Sequence, residues 1–127
     1  MTGGTDTKLI EEFIAGLKSE DKARLDAISQ PDAIWSLPGS NLMSGEVTGT
    51  SGMLARAATL KRFGVSLEIL HVLTGRCGVA VVLHNTGKHD GRVLDEYLTT
   101  VAQVKDGRIS RLDTYISDIP MLDAYFV

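Results

Sequence analysis

The sequence predicts an α+β fold, with helices early in the chain and a mostly antiparallel sheet late. Three observations predict it. First, residues 78–118 read as three consecutive strands joined by two turns. The run Gly78–Thr86 is apolar and β-branched, Gly87-Lys88-His89-Asp90-Gly91 is a turn cluster, and Arg92–Lys105 is rich in Val, Leu, Tyr and Thr. Asp106-Gly107 is the strongest two-residue hairpin signal in the chain, and Arg108–Ser117 follows it as the third strand. Second, helical spacing dominates the first half of the chain. Third, a meander this long cannot stand alone, so the helices must cover its apolar face.

Taken in order, Asp6 or Thr7 is a candidate N-cap, and Leu9, Ile10, Phe13, Ile14 and Leu17 follow helical spacing to the end of a first helix near Gly16–Ser19. Ser19, Asp21 and Lys22 start a short second helix with Leu25 and Ile28 as its apolar positions, and Gln30-Pro31 stops it. Ala33–Leu37 is a short strand and Pro38–Asn41 a turn. Leu42–Gly49 reads as loop, with room for a short strand at Ser44–Glu46. Thr50 or Ser51 caps a third helix through Arg62, whose buried stripe is Met53, Leu54, Ala57, Ala58 and Leu60, and Gly64 closes it. Val65–Thr74 is a strand with Leu67, Ile69 and Leu73 on one side. After the meander, Ile119-Pro120 opens a short C-terminal helix. The order is ααβ(β)αββββα. Its long sheet must bend over the helices, and a bent sheet leaves a concave space of the kind that holds ligands.

Length and composition narrow the function. The 127 residues suit one domain, with residues 1–6 as a flexible tail. Hydrophobic content of 43% and charged content of 23% are ordinary for a globular protein. A net charge of −3 without a basic run argues against nucleic acid as a partner. No apolar run reaches membrane-spanning length, and the N-terminus lacks the features of a signal peptide. The single cysteine, Cys77, sits in a Gly-Arg-Cys-Gly turn and suits a reducing cytoplasm. His84, His89 and Asp90 lie close in sequence but without metal-site spacing, so neither a metal nor another cofactor is expected.

Several stretches fall in the order seen in a known group: Trp35–Gly39, Leu42–Gly49, His84, Asp90–Asp95, Asp106–Ile109 and Tyr115–Asp118. The chain, from about Leu9 to Phe126, resembles SnoaL-like proteins of the nuclear transport factor 2-like superfamily. The resemblance implies a cone-shaped, strongly bent sheet wrapped around three helices, and homodimers formed through the sheet's outer face. It also implies a pocket for acid/base chemistry: polyketide cyclisation, isomerisation, dehydration or epoxide opening. Two of the family's catalytic patterns do not carry over. Leu37 stands where ketosteroid isomerases keep their base, and Thr99 or Thr100 where they keep an acidic donor. The strand Val79–Asn85 holds no Arg or Asp for an epoxide hydrolase relay.

Asp118 matches the acidic residue that related enzymes carry near the end of the last strand. A carboxylate in such a pocket loses hydration and becomes a usable acid or base near neutral pH. Its alternative role is to cap the helix starting at Ile119-Pro120. His84 shares one strand face with Val82 and Thr86, while Asn85 shares the other with Val81 and Leu83. If the even face looks inward, His84 carries protons in the pocket; if the odd face does, Asn85 takes its place as a hydrogen-bond donor. Trp35 and Tyr97 are flat, apolar cavity walls with one polar tip. Asp95, one alternation from Tyr97, is a candidate second carboxylate, and Tyr115 is a candidate substrate contact whose orientation depends on a bulge near residues 116–117. The expected protein is a cofactor-independent enzyme acting on a small hydrophobic, oxygenated molecule; a non-catalytic ligand-binding or interaction domain of the same fold is the alternative.

Overall fold

The computed structural model describes residues 3–127, with side chains from Asp6 onward. The elements are α1 (Gly3–Ser19), α2 (Lys22–Ile28), β1 (Ser29–Leu37), β2 (Gly45–Thr48), α3 (Gly49–Arg62), β3 (Ser66–Thr74), β4 (Gly78–His89), β5 (Arg92–Lys105), β6 (Arg108–Ile116) and α4 (Ile119–Tyr125). The strands form one sheet in the order β2-β1-β6-β5-β4-β3. Every neighbouring pair is antiparallel except β1–β6, which is parallel. The architecture is therefore α+β with a mostly antiparallel sheet, as the residue pattern predicts. Among the described residues, no helix is long and apolar enough to cross a membrane.

The sheet is unclosed and curves because its ladders are interrupted. Register shifts lie between Ser29 and Ile34 on β1, between Ile69 and His71 on β3, and between Gln103 and Val104 on β5. Each extra residue bends its strand and strengthens the local twist. The concave face receives Ile10, Phe13 and Ile14 of α1, Leu25 of α2 and Met53 of α3, all fully buried. Against them the sheet presents Val81 and Leu83 of β4, Leu94 and Ala102 of β5, and Leu112 of β6.

Element boundaries differ from the sequence reading where tertiary contacts override local signals. Helix α1 reaches back to Gly3, with Asp6 in its first turn. Asp6 is buried in line with Ile10, Phe13 and Leu17, so the buried stripe of the helix continues to the expected N-cap and beyond its apolar part. Of the expected tail, Met1 and Thr2 lie outside the described residues. Strand β1 begins at Ser29 rather than Ala33 and contains Pro31, which sits in its irregular stretch where no ladder hydrogen bond is lost. Strand β4 runs on to His89, and the turn contracts to Asp90-Gly91, both with positive φ. In β3 the shift at residues 69–71 breaks the expected stripe: Leu67 turns inward, whereas Leu73, beyond the shift, changes face and is exposed; Ile69, still in phase with Leu67, is 38% exposed on this edge strand.

Helix α4 and its C-terminal flank dock through aromatic packing. Tyr125 and Phe126 pack on Phe63 with ring centroids 6.1 and 5.2 Å away. The Tyr125 hydroxyl donates to the Phe63 carbonyl, and Arg92 Nε donates to the Tyr125 carbonyl at 3.1 Å. Gly87 lies under this hydroxyl; a Cβ there would sit 2.6 Å from Tyr125 Oη and 3.0 Å from the Gly64 carbonyl. Gly87→Ala is therefore expected to lower stability by about 1–3 kcal/mol through overpacking, measured by urea denaturation. A change below about 0.5 kcal/mol, the size of an ordinary surface substitution, would contradict this account.

Candidate functional site

The concave face is not uniformly apolar. Odd residues of β4 and even residues of β5 and β6 point inward, which brings Asn85, Glu96, Thr100 and Thr114 onto one wall. Trp35 of β1 joins them, while Phe13, Leu17 and Leu60 close the helical side and Met43 and Phe126 the far end. These side chains enclose a hollow of about 40 Å³, space for roughly two or three water molecules.

Glu96 is the chemically unusual member. It is only 2% exposed, between Leu94 and Leu98 on β5, and its Oε2 has no hydrogen-bond partner. Burial pushes its carboxyl up to about 7, and the charge of Asp118 pushes in the same direction. Asn85, 6% exposed, stands directly opposite Glu96 in the β4–β5 register, and its Oδ1 also lacks a partner. Two unpaired buried acceptors on adjacent strands are costly for a structural core, where such groups are normally satisfied.

The rest of the polar wall is fully paired. Trp35 Nε1–H donates to Thr114 Oγ1 at 2.9 Å, and the Thr114 and Thr100 hydroxyls are 2.8 Å apart. Two neighbours hold the indole: Phe13 packs edge-on at 5.2 Å and the Arg56 guanidinium lies 4.8 Å from the ring centroid. Arg56 is 4% exposed and donates to the carbonyls of Trp35 (2.9 Å) and Gly45 (2.8 Å), tying α3 to β1 and to the start of β2. Burial lowers it to about 10, so it remains a cation at neutral pH.

The alternatives at β4 resolve in favour of Asn85. It and Trp35 line the hollow, as expected for cavity residues. His84 is on the convex face, with Asp95, Tyr97 and Tyr115, so these four do not line the hollow. There His84 Nε2 is 2.6 Å from Asp95 Oδ1, its Nδ1 is 3.6 Å from Glu68 Oε1, and its ring stacks on Tyr97 at 4.5 Å. The hydrogen bond to Asp95 raises the His84 pKa above its ordinary value. Tyr97 and Tyr115 are 53% and 65% exposed, with Val93 and Val101 beside them, on the face through which the family resemblance implies homodimers. The physical reason is parity: the β4–β5 register puts Glu96 in phase with Asn85, which turns Asp95 and Tyr97 outward together with His84. Asp118 caps α4 by accepting from Met121 N–H at 3.0 Å, and its charge also acts on Glu96.

Glu96 is the residue that sequence reasoning missed. Its signal was the in-phase run Leu94-Glu96-Leu98-Thr100-Ala102, a carboxylate centred between leucines on one strand face. Among the described residues, no group of three His, Cys, Asp or Glu side chains is placed to hold a metal ion.

Comparison with known proteins places this geometry in a wider set. No protein-family model matches the chain. An uncharacterised protein of Mycobacterium tuberculosis is 26% identical over 132 residues, covering 99% of both chains. Among solved structures, Bal32a from a soil-derived mobile gene cassette superposes with a TM-score of 0.89 at 22% identity, covering 98% of each chain. An NTF2-like protein from Burkholderia xenovorans gives 0.82 at 22% identity, covering 100% of this chain and 99% of that one. An LEH-like epoxide hydrolase of M. tuberculosis gives 0.70 at 18% identity, covering 98% of this chain and 90% of that one. The chain has the fold of the nuclear transport factor 2-like proteins, a curved, open sheet packed over its helices.

Proposed function

We propose that this protein is a cofactor-independent enzyme that moves protons on a small, mostly apolar, oxygenated molecule, with Glu96 as the proton-transferring group. One observation carries the reading: a carboxyl group buried in an apolar hollow, lacking a partner on one oxygen, and poised near pH 7. A group with such a pKa is present in both protonation states at neutral pH, the condition for efficient general acid/base work. Asn85, whose Oδ1 is unpaired on the same wall, orients the substrate's oxygen. Asp118 acts as the second carboxylate, raising Glu96 by its charge while it caps α4. The same fold in an epoxide hydrolase-like enzyme supports the reaction class: isomerisation, cyclisation, dehydration or epoxide opening. Ligand binding without turnover is the competing reading, and the same variants separate the two.

Glu96→Gln keeps the shape and removes the proton carrier. Two assays suit the reaction class: α-proton exchange of a small cyclic ketone in D₂O, and opening of a small epoxide. In whichever shows turnover, the variant is expected to lose roughly 10²–10⁴-fold in rate. The wild-type rate should change through one ionisation near pH 7, rising if Glu96 acts as base and falling if it acts as acid. Equal turnover by a folded Glu96→Gln variant removes Glu96 from the chemistry.

Asp118→Asn retains a good capping side chain and deletes the charge. It is expected to move the Glu96 midpoint downward, read from the carboxyl resonance by NMR, with no change in far-UV circular dichroism. An unmoved midpoint contradicts the proposed coupling.

The buried carboxyl also predicts a pH-dependent stability. Its folded pKa of about 7 lies above the ordinary carboxyl value of 4.5, so the native state holds a proton that the unfolded chain releases. Stability is then fully present below about pH 4.5 and falls as pH rises to about 7. Relative to Glu96→Gln, the wild type should lose on the order of 3 kcal/mol between these limits. A constant stability difference across that window, by denaturant titration, would sink this assignment.

A further inference from the structure

We infer that the hollow is the inner end of a two-chamber site, and that its ligand is an elongated amphipathic carboxylate. The inference rests on the reading above that the hollow receives the reacting group of a ligand. At about 40 Å³ the hollow admits a functional group of roughly two or three heavy atoms, not a whole molecule. A second depression of about 380 Å³ lies between α1, α3 and the start of β3. That volume is within the range of small-molecule sites, roughly 300–1,000 Å³.

The two spaces share a wall. Leu17, Leu60 and Leu67 line both the hollow and the depression. These are flexible, unbranched-stem side chains from three different elements, so rotamer changes at one of them alter the passage without moving the backbone. Ala57 and Val65 continue the apolar surface outward. A ligand body lying there would cover the part of this apolar strip that is still open to water.

The chemistry at the two ends sets the ligand class. At the inner end, Asn85 Oδ1 and Glu96 Oε2 are buried acceptors without partners, which calls for a head group carrying a hydroxyl. At the outer end, Lys18 and Lys61 line the depression and no carboxylate does. Lys61 shares its charge with Glu20 at 3.3 Å; Lys18 forms no ion pair among the described residues. In a chain of net charge −3, this opening is locally cationic and attracts an anion. A hydroxylated head, an apolar middle and a terminal carboxylate satisfy all three zones.

Trp35 is the only tryptophan and lines the hollow, so its emission reports arrival at the inner chamber. The test titrates 8-hydroxyoctanoate, and octane-1,8-diol as its uncharged analogue, into three proteins: wild type, the double variant Lys18→Gln/Lys61→Gln, and Leu60→Phe. The expected result is a saturable change in Trp35 emission with the acid, weakened several-fold in the lysine variant and by high salt. The diol should bind the wild type and the lysine variant alike, and Leu60→Phe should bind both probes more weakly. Failure of the acid to perturb Trp35 overturns the inference, as does a lysine variant that binds it like the wild type. The lysines are solvent-exposed, so that variant folds whatever Leu60→Phe does. Binding is read without turnover and is repeated in Glu96→Gln; saturable binding there together with unchanged catalysis would reject Glu96 as the proton carrier while leaving the two chambers intact.

Discussion

The constraint on which the rest of this structure depends is the register of β4 against β5. The two-residue turn Asp90-Gly91 pairs His89 with Arg92 and thereby aligns the two strands along their whole length, from Gly78 opposite Gln103 onward. Side chains alternate with a period of two, so a one-residue slip of β5 would exchange its faces. Glu96 and Leu98 would go to solvent, and Asp95 and Tyr97 would enter the core. Both residues of the turn adopt positive φ, a geometry that Asp-Gly accommodates and that matches the twist of the flanking strands. A local backbone preference therefore keeps Glu96 on the same face as Asn85, and Asp95 on the same face as His84.

The inner wall separates into a satisfied and an unsatisfied part. Trp35, Thr114 and Thr100 form a closed hydrogen-bonded chain, backed by Phe13 and by a buried Arg56 that fastens β1 and the start of β2 to α3. That part is rigid. Beside it, Asn85 and Glu96 retain acceptor atoms with no protein partner. A fold can retain such groups only if tight packing elsewhere offsets their cost. Here the fully buried side chains of α1, α2 and α3 against β4, β5 and β6 provide it. Rigid support next to unpaired polar atoms is the arrangement a binding or reacting site requires, because ligand groups are then received without reorganisation.

The convex face follows a different logic. His84 stacks on Tyr97 and lies between Asp95 and Glu68, with Tyr115 and Val93 exposed nearby. These charges are hydrated, and their mutual attraction is screened. The same residue types that invite a catalytic reading in sequence form here a surface ion-pair cluster. Their proximity in the chain reflects cross-strand pairing of the hairpin, not convergence on a cavity.

The sequence by itself determined the architecture. Helical spacing, the Gly87–Gly91 turn cluster and the Asp106-Gly107 hairpin signal placed nearly every element, and they implied a sheet bent over helices with a concave space. These features act over a few residues and need no distant partner, so they survive in a one-dimensional reading. The orientation of the strands was not legible in the same way. Strands β4 and β5 are apolar on both faces, with Val82 and Val93 matching Val81 and Leu94, so alternation could not say which face was buried. Only the packing of α1, α2 and α3 onto one side of the sheet chose Asn85 over His84 and Glu96 over Asp95. It then raised the Glu96 carboxyl by removing its water. Burial is a property of what lies across the core, and for these strands that neighbour is supplied by residues far away in the chain.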